Sequence, residues 1–355
     1  MADFEKYRLR TNGALGKQWK SHLDGHWVTP PAPPVPSGPM YIGCSELKFD
    51  SLNAQVINTD GSKAGGINSG FSVNRVYAAS LPATFPAEPF FAANQSRGVG
   101  SAWSWTPDPG STWWATVNGG SLDASLTTLF NSWPAGVWGT VTFGHEPEDN
   151  SYDLAAYRAA QARLGSLFHA SSIDKGRVKF GIILTGDAYR SGSQGSYYPA
   201  DTTNIDFVGI DYYEYWRPAS APIDSGLGGR GTLRTPSYLA GAAVSFANSI
   251  GKPVFVGEYA LHPDPAYPVS GPDPGPSHAR PERVQATIDY FDGPAATEGC
   301  LGFCIYHSWR QPTHGPWWWD AFPNYSDLQD QTSTDPDTVK KLRDILSLHP
   351  FVPGT

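Results

Sequence analysis

Eight short apolar runs punctuate the chain between residues 40 and 309. They are MYIGCSEL (40–47), VNRVYAA (73–79), GVGSAWSW (98–105), WGTVTFGHE (138–146), RVKFGIILT (177–185), IDFVGIDYY (205–213), PVFVGEYA (253–260) and GFCIYHSW (302–309). They are near-continuously apolar rather than alternating, as parallel strands covered on both faces must be. Helical segments fall between them. Residues 121–132 are expected to start at a Ser cap, and residues 152–169 place Leu154, Tyr157, Leu164 and Phe168 on one stripe. Residues 236–249 open with Pro236 and end before Gly251, and 281–292 open with Pro281 and stop at Gly293. Residues 337–348 carry Val339, Leu342, Ile345 and Leu346 behind an Asp337 cap. The first, second and fifth helices are poorly marked. Eight β units with intervening helices predict an α/β fold, the (β/α)8 TIM barrel. A doubly wound open sheet would need a glycine-rich phosphate loop after its first strand, and IGCSEL has none.

Ahead of the barrel, residues 1–29 form a leader that includes ALGKQWKSHLDGHW, and residues 30–39 (PPAPPVPSGP) read as a semi-rigid Pro-rich linker. The barrel is assigned to 40–355. The leader is too short to fold unaided, so it is expected to dock on the barrel or on a larger assembly. Its first residues, MADFEKYRLR, contain no apolar core of a secretory signal, and no run of about 18 apolar residues occurs. A cytoplasmic or virion-associated protein without a membrane span is expected.

Composition narrows the chemistry. At 355 residues the chain exceeds the roughly 250 of a typical barrel. A 40% hydrophobic content excludes disorder, and a net charge of −8 argues against nucleic acid as partner. Charged residues make up only 16%, against roughly 25% in an ordinary domain, while there are 13 Trp, 17 Tyr and 17 Phe. That balance suits an uncharged, flat-faced ligand such as a sugar, or else a Trp-rich core. Cys44, Cys300 and Cys304 are an odd number placed in apolar runs, so buried inert thiols are expected rather than disulfides. No cofactor or metal is called for. His145-Glu146 begins like HExxH, but Asp149 occupies the second His position. His22 and His26 are spaced to share a helix face, and no other His pair has metal spacing. The Ser of Gly66–Gly70 is displaced from GxSxG.

In a (β/α)8 barrel the active site lies where the strands end. The third run ends in Trp103-Ser104-Trp105, the fourth in Gly144-His145-Glu146-Pro147-Glu148, the fifth at Asp187, the sixth in Asp211-Tyr212-Tyr213, the seventh in Gly257-Glu258-Tyr259 and the eighth in Tyr306-His307-Ser308-Trp309. Glu146 and Glu258 therefore face each other across the mouth. Glycoside hydrolysis needs such a pair, one a proton donor held protonated by apolar surroundings or a neighbouring negative charge. Glu148 is a rival for the acid and lies farther along the loop. Aromatics cluster at the same end: Trp103, Trp105, Trp113 and Trp114, then Tyr212, Tyr213, Tyr215 and Trp216, then Trp309 and Trp317–Trp319. Such rings stack on the C–H faces of sugars, or bury themselves against loops. Residues 262–282 form a Pro-rich loop beside Glu258, read equally as a lid or wall of the cleft and as a disordered surface loop.

This pattern resembles the clan of retaining (β/α)8 glycoside hydrolases that carry an acid/base Glu after strand four and a nucleophile Glu after strand seven. TFGHEPED is similar to glycoside hydrolase family 26, in which a His precedes the acid/base Glu where most of the clan has Asn. VFVGEYA resembles that family's nucleophile strand. The resemblance implies that Glu146 is the acid/base and Glu258 the nucleophile, and that His145 touches the nucleophile side or the substrate. It implies further that Tyr212 or Tyr213 hydrogen-bonds the nucleophile and that Trp309 floors the sugar site. The family often has Arg and Pro shortly before His-Glu and aromatics just after. Here Val-Thr-Phe-Gly and Pro-Glu-Asp-Asn stand there, which departs from the mannan-specific pattern.

The expected substrate-binding set is His145, Trp103, Trp105, Asp187, Asp211, Tyr212, Tyr213, Trp309, Trp317 and Trp318. The expected partner is an oligo- or polysaccharide, attacked within the chain because the aromatics spread over several loops. An alternative of another class is a non-catalytic carbohydrate-binding or structural phage tail component on a glycosidase-like barrel. The leader resembles short N-terminal segments of actinobacteriophage tail proteins, which implies attachment to a larger assembly through residues 1–29.

Overall fold

A computed structural model describes residues 6–11, 14–20, 27–28, 40–45, 72–97, 99–216, 235–263, 280–293 and 295–305. The leader contributes β1 (Lys6–Thr11), β2 (Ala14–Lys20) and β3 (Trp27–Val28), an antiparallel three-stranded sheet. His22 and His26, the Pro-rich linker and the 337–348 segment lie outside the described residues.

All eight apolar runs are strands: β4 (Tyr41–Ser45), β5 (Val73–Ala78), β6 (Gly100–Trp105), β7 (Gly139–Phe143), β8 (Val178–Thr185), β9 (Phe207–Trp216), β10 (Val254–Pro263) and β11 (Cys300–Ile305). Each pairs in parallel with the next, and β11 pairs with β4, so the sheet closes into an eight-stranded barrel. The expected (β/α)8 architecture is what forms.

The helices are α1 (Pro89–Arg97), α2 (Trp113–Asn118), α3 (Asp123–Asn131), α4 (Leu154–Ala170), α5 (Gly186–Arg190), α6 (Pro236–Ser249) and α7 (Arg280–Phe291). Side-chain caps fix several starts. Asp153 accepts from the amides of Ala155 and Ala156 at 2.9 and 3.1 Å, and Thr235 caps α6 ahead of Pro236. Two expectations change. The N-cap of α3 is Leu122, with no side-chain cap, because the Ser121 hydroxyl turns back to the Thr116 carbonyl. The inner stripe of α4 is Tyr157, Gln161, Leu164 and Phe168, while Leu154 in the first turn stays exposed.

Strand periodicity sorts side chains into two cores. The outer one, between strands and helices, includes Phe85, Trp103, Trp133, Phe143, Phe168 and Phe303. The inner one holds Val73, Ala102, Ile183, Phe207, Phe255 and Cys304, with Trp138 packed at a tilt on Tyr41, ring centroids 4.0 Å apart. Glycines make room for these rings. A Cβ on Gly181 would lie 2.6 Å from the Phe207 ring, and one on Gly209 would lie 2.3 Å from Ile183 Cγ1. Cys300 and Cys304 are buried free thiols, and burial pushes the Cys300 thiol up to about 12.

Gly209→Ala is expected to destabilise the barrel by about 1–3 kcal/mol through overpacking. Ile183→Ala, which removes the atom it strikes, should recover part of that loss. Denaturation midpoints of the two single variants and the double variant read the coupling.

Candidate active site

The carboxylate at the mouth of β10 owes its direction to an extra residue. Along β10, Phe255 faces the barrel interior, so simple alternation would turn Glu258 outward with Val256. The pairing with β9 slips between Val256, opposite Ile210, and Glu258, opposite Asp211, which leaves Gly257 as a bulge. Glu258 thereby points inward and Tyr259 outward, against Tyr212 and Phe303. Only glycine fits the bulge, since a Cβ there would lie 2.4 Å from Asp211 Oδ1. Glu258 is buried, and both its oxygens accept hydroxyls: Tyr77 donates to Oε1 at 2.7 Å and Tyr213 donates to Oε2.

At the end of β7 the chain turns sharply through two left-handed residues, Gly144 (φ 63°) and Glu146 (φ 48°). Gly144 is required twice, by its φ and because a Cβ would meet the Trp114 ring at 2.7 Å. Glu146 holds a conformation unusual for a residue with a side chain, and its backbone is tied in place. Its amide donates to the Ile183 carbonyl at 2.9 Å, and Asn150 Nδ2 donates to its carbonyl at 2.9 Å. From α4, Tyr157 and Gln161 donate to the carbonyls of Gly144 and Phe143.

These turns bring Glu146, Asp211 and Glu258 together, with one carboxylate oxygen of each within 4.8 Å of the others. Burial, reinforced by Glu258, Asp149 and Glu148, pushes the Glu146 carboxyl up to about 9, and Arg75 opposes the rise. Asp211 is pushed well above the usual carboxylate range, first by burial and then by Glu258 and Glu146. Arg75 lies beneath them, fully buried, its guanidinium carbon 4.9 Å from the Tyr77 ring centroid. His145 lies beside Tyr77, ring centroids 5.6 Å apart, with Thr106 Oγ1 3.0 Å from its Nδ1. Burial and then Arg75 lower this imidazole to about 3, so it is neutral at ordinary pH.

Three clustered carboxylates are also the donors a cation would use, but the surroundings here are those of a proton-sharing site. Both oxygens of Glu258 already accept hydroxyls, and a buried guanidinium stands beside them. Glu148 is not part of the close trio. Its Oε1 accepts the Thr185 amide at the start of α5.

The remaining expected residues scatter. Tyr213 contacts Glu258, whereas Tyr212 faces outward and packs on Tyr259 and Phe291. Trp103 is fully buried in the outer core against Phe85 and Phe143, so it offers no face to a ligand; its strand position turns it toward the helices. Trp105 is half-buried and packs edge-on against Trp113, which stacks on Phe143 at 5.7 Å. Trp114 is buried against Tyr152 and Tyr157. Asp187 is exposed at the rim, bridged to Arg190. Trp309, Trp317 and Trp318 lie outside the described residues, as does most of the 262–282 loop. A cleft of about 550 Å3 opens beside the trio, between Glu146, Asp187 and Tyr213.

Sequence reasoning missed Arg75 and Tyr77. A signal existed: Arg75 is a lone charge in an apolar run, two residues from Tyr77 and therefore on the same strand face. A charge inside a closed barrel needs opposite charges nearby.

No protein-family model and no curated protein matches the chain. Solved structures do. The catalytic domain of a Bacillus sp. JAMB-750 GH26 endo-β-1,4-mannanase is 12% identical, with a TM-score of 0.50 over 88% of this chain and 86% of that one. An uncultured Clostridium β-glucuronidase is 12% identical, with a TM-score of 0.49 over 94% of this chain and 57% of that one. The Ignisphaera aggregans GH53 catalytic domain is 14% identical, with a TM-score of 0.45 over 88% and 92%. At such identities the likeness establishes the fold: the chain is a (β/α)8 barrel of the kind on which the GH26 mannanase is built.

Proposed function

We propose that the chain is a retaining glycoside hydrolase that cleaves a polysaccharide internally by double displacement. The observation that carries this reading is the close approach of Glu146, pushed up to about 9, to Glu258, which two tyrosine hydroxyls hold in place. Oxygens within 4.8 Å suit the roughly 5–5.5 Å carboxyl spacing of retaining enzymes better than the roughly 6.5–9.5 Å of inverting ones.

In the first step a Glu258 oxygen bonds to the anomeric carbon as the glycosidic C–O bond breaks, and the Glu146 proton passes to the departing oxygen. In the second, Glu146 takes a proton from water, the water oxygen bonds to the anomeric carbon, and the bond to Glu258 breaks. Arg75 and Asp211 set the electrostatics beneath the pair, and neutral His145 supports Tyr77 through ring contact. A β-mannan is the first polymer to test, because the GH26 structure of similar fold acts on one. A host cell-surface glycan is the second, given the leader's resemblance to phage tail segments.

Glu258→Gln is expected to lower kcat about 10^4-fold or more while sugar binding persists. Glu146→Gln should cost about 10^2–10^4-fold on a native polymer. Reducing-end release from a panel of β-mannans, β-glucans, xylans and cell-wall glycans reads both, and NMR of the first product should show retained anomeric configuration. Near-normal turnover by Glu258→Gln overturns the assignment.

Because the acid must be protonated, activity is expected to fall as pH rises through about 9. That alkaline limb should vanish in Glu146→Gln assayed on a substrate whose leaving group needs no proton.

Tyr77→Phe removes one hydrogen bond to a charged group, worth about 1.5–3 kcal/mol, so kcat should drop about 10–100-fold. KM should stay within about 2-fold, since the loss falls on positioning the nucleophile rather than on uniform substrate binding.

A further inference from the structure

One arm of the cleft differs from the aromatic surroundings expected of a neutral-sugar site. Past Glu146, over the start of α5, its wall carries the carboxyl groups of Glu146, Glu148, Asp149, Asp187 and Asp211, and no tryptophan among the described residues. Its one described cation, Arg190, is already committed to Asp187 and to the Leu239 carbonyl. Asp211 is 1% exposed and lines this space, yet neither of its carboxylate oxygens has a hydrogen-bond partner among the described residues. Oε2 of Glu148 is buried in the same state. Burying acceptors without donors is unfavourable, so the arm lacks donors that a ligand would bring.

The chemistry of the missing partner is constrained. A carboxylated sugar would bring a negative charge and further acceptors to a wall already made of carboxyl groups. A neutral hydroxyl donates one hydrogen bond, whereas a protonated amine donates three and carries the opposite charge, which makes each bond to a carboxylate stronger. A bare divalent cation fits less well. The cleft of about 550 Å3 has the size of a small-molecule pocket, and the guanidinium of Arg75 lies beside Asp211 and Glu258. We infer that this arm is a subsite for a sugar unit bearing a free, protonated amino group, so that the substrate is an amino-sugar-containing glycan. The inference rests on the glycosidase reading for its place in catalysis, but the binding preference stands apart from turnover.

The test uses the full chain and monosaccharide probes at pH 6, read by ligand-observed NMR and competition. Glucosamine, galactosamine and mannosamine are each compared with the N-acetylated form and the parent hexose. At least one amine should bind about 10-fold or more tightly than both of its counterparts. Asp149→Asn, at an exposed position, should narrow that preference about 3-fold, and Glu148→Gln combined with it should narrow it further, with circular dichroism confirming the fold. Amines that bind no better than hexoses overturn the subsite, as does calcium that binds saturably where amines do not. Failure of Glu258→Gln to abolish hydrolysis would remove the catalytic reading and leave the amine preference standing. Loss of hydrolysis in that variant without any amine preference would do the reverse.

Discussion

A guanidinium sealed inside the barrel organises everything above it. Arg75 is fully buried, and none of its three nitrogens has a hydrogen-bond partner among the described residues. Its charge is balanced instead by proximity to Asp211 and Glu258 and by the face of Tyr77. Removing that one cation would leave Glu146, Asp211 and Glu258 facing each other with no opposite charge beneath them, the costly kind of buried charge. The same cation, after burial, keeps His145 neutral. A mouth crowded with carboxyl groups is therefore possible only because a positive charge lies under it.

Two backbone irregularities place the carboxyls over that charge. The bulge at Gly257 reverses the facing of Glu258, and the left-handed turn at Gly144 and Glu146 lifts the other carboxyl over the end of β7. Both depend on glycine: Gly257 for space, because it abuts Asp211, and Gly144 for its left-handed φ as well as its closeness to Trp114. Lower in the barrel, Gly181 and Gly209 let Phe207 and Ile183 fill the interior. The floor is apolar and tightly filled, so the polar layer above it sits in a poorly hydrated place, and this drives the rise of Glu146.

The strands were legible because burial on both faces writes a continuous apolar run, and all eight runs became strands with ends shifted by a few residues. Helix α6 was legible at both ends, from Pro236 and from the approach to Gly251, whereas α3 lacks the side-chain cap that Ser121 promised. Facing was harder to read. Tyr212 and Tyr213 are adjacent, and only strand parity tells that Tyr213 shares the inner face with Asp211. The same parity sends Trp103 to the helices. Glu258 could not have been placed by parity at all, since the bulge that turns it inward shows only in the pairing of β10 with β9. Arg75 and Tyr77 were missed because a strand's apolarity was read without asking what its single charge would face.

Among the described residues, tryptophan, the residue type that first pointed to a sugar, serves mainly to pack the fold. Of the six tryptophans whose side chains are described, Trp103, Trp114, Trp133 and Trp138 are buried, and Trp105 and Trp113 pack chiefly on one another and on Phe143. Most of this aromatic mass is the mortar between barrel and helices. What distinguishes the mouth among the described residues is its carboxyl groups: a chain poor in charged residues gathers them around one cleft, over a buried arginine. Specificity built this way comes from which charges a ligand can satisfy more than from which rings it can stack upon. The proposed amino-sugar subsite is the reading of that arrangement in which a substrate is selected by its donors.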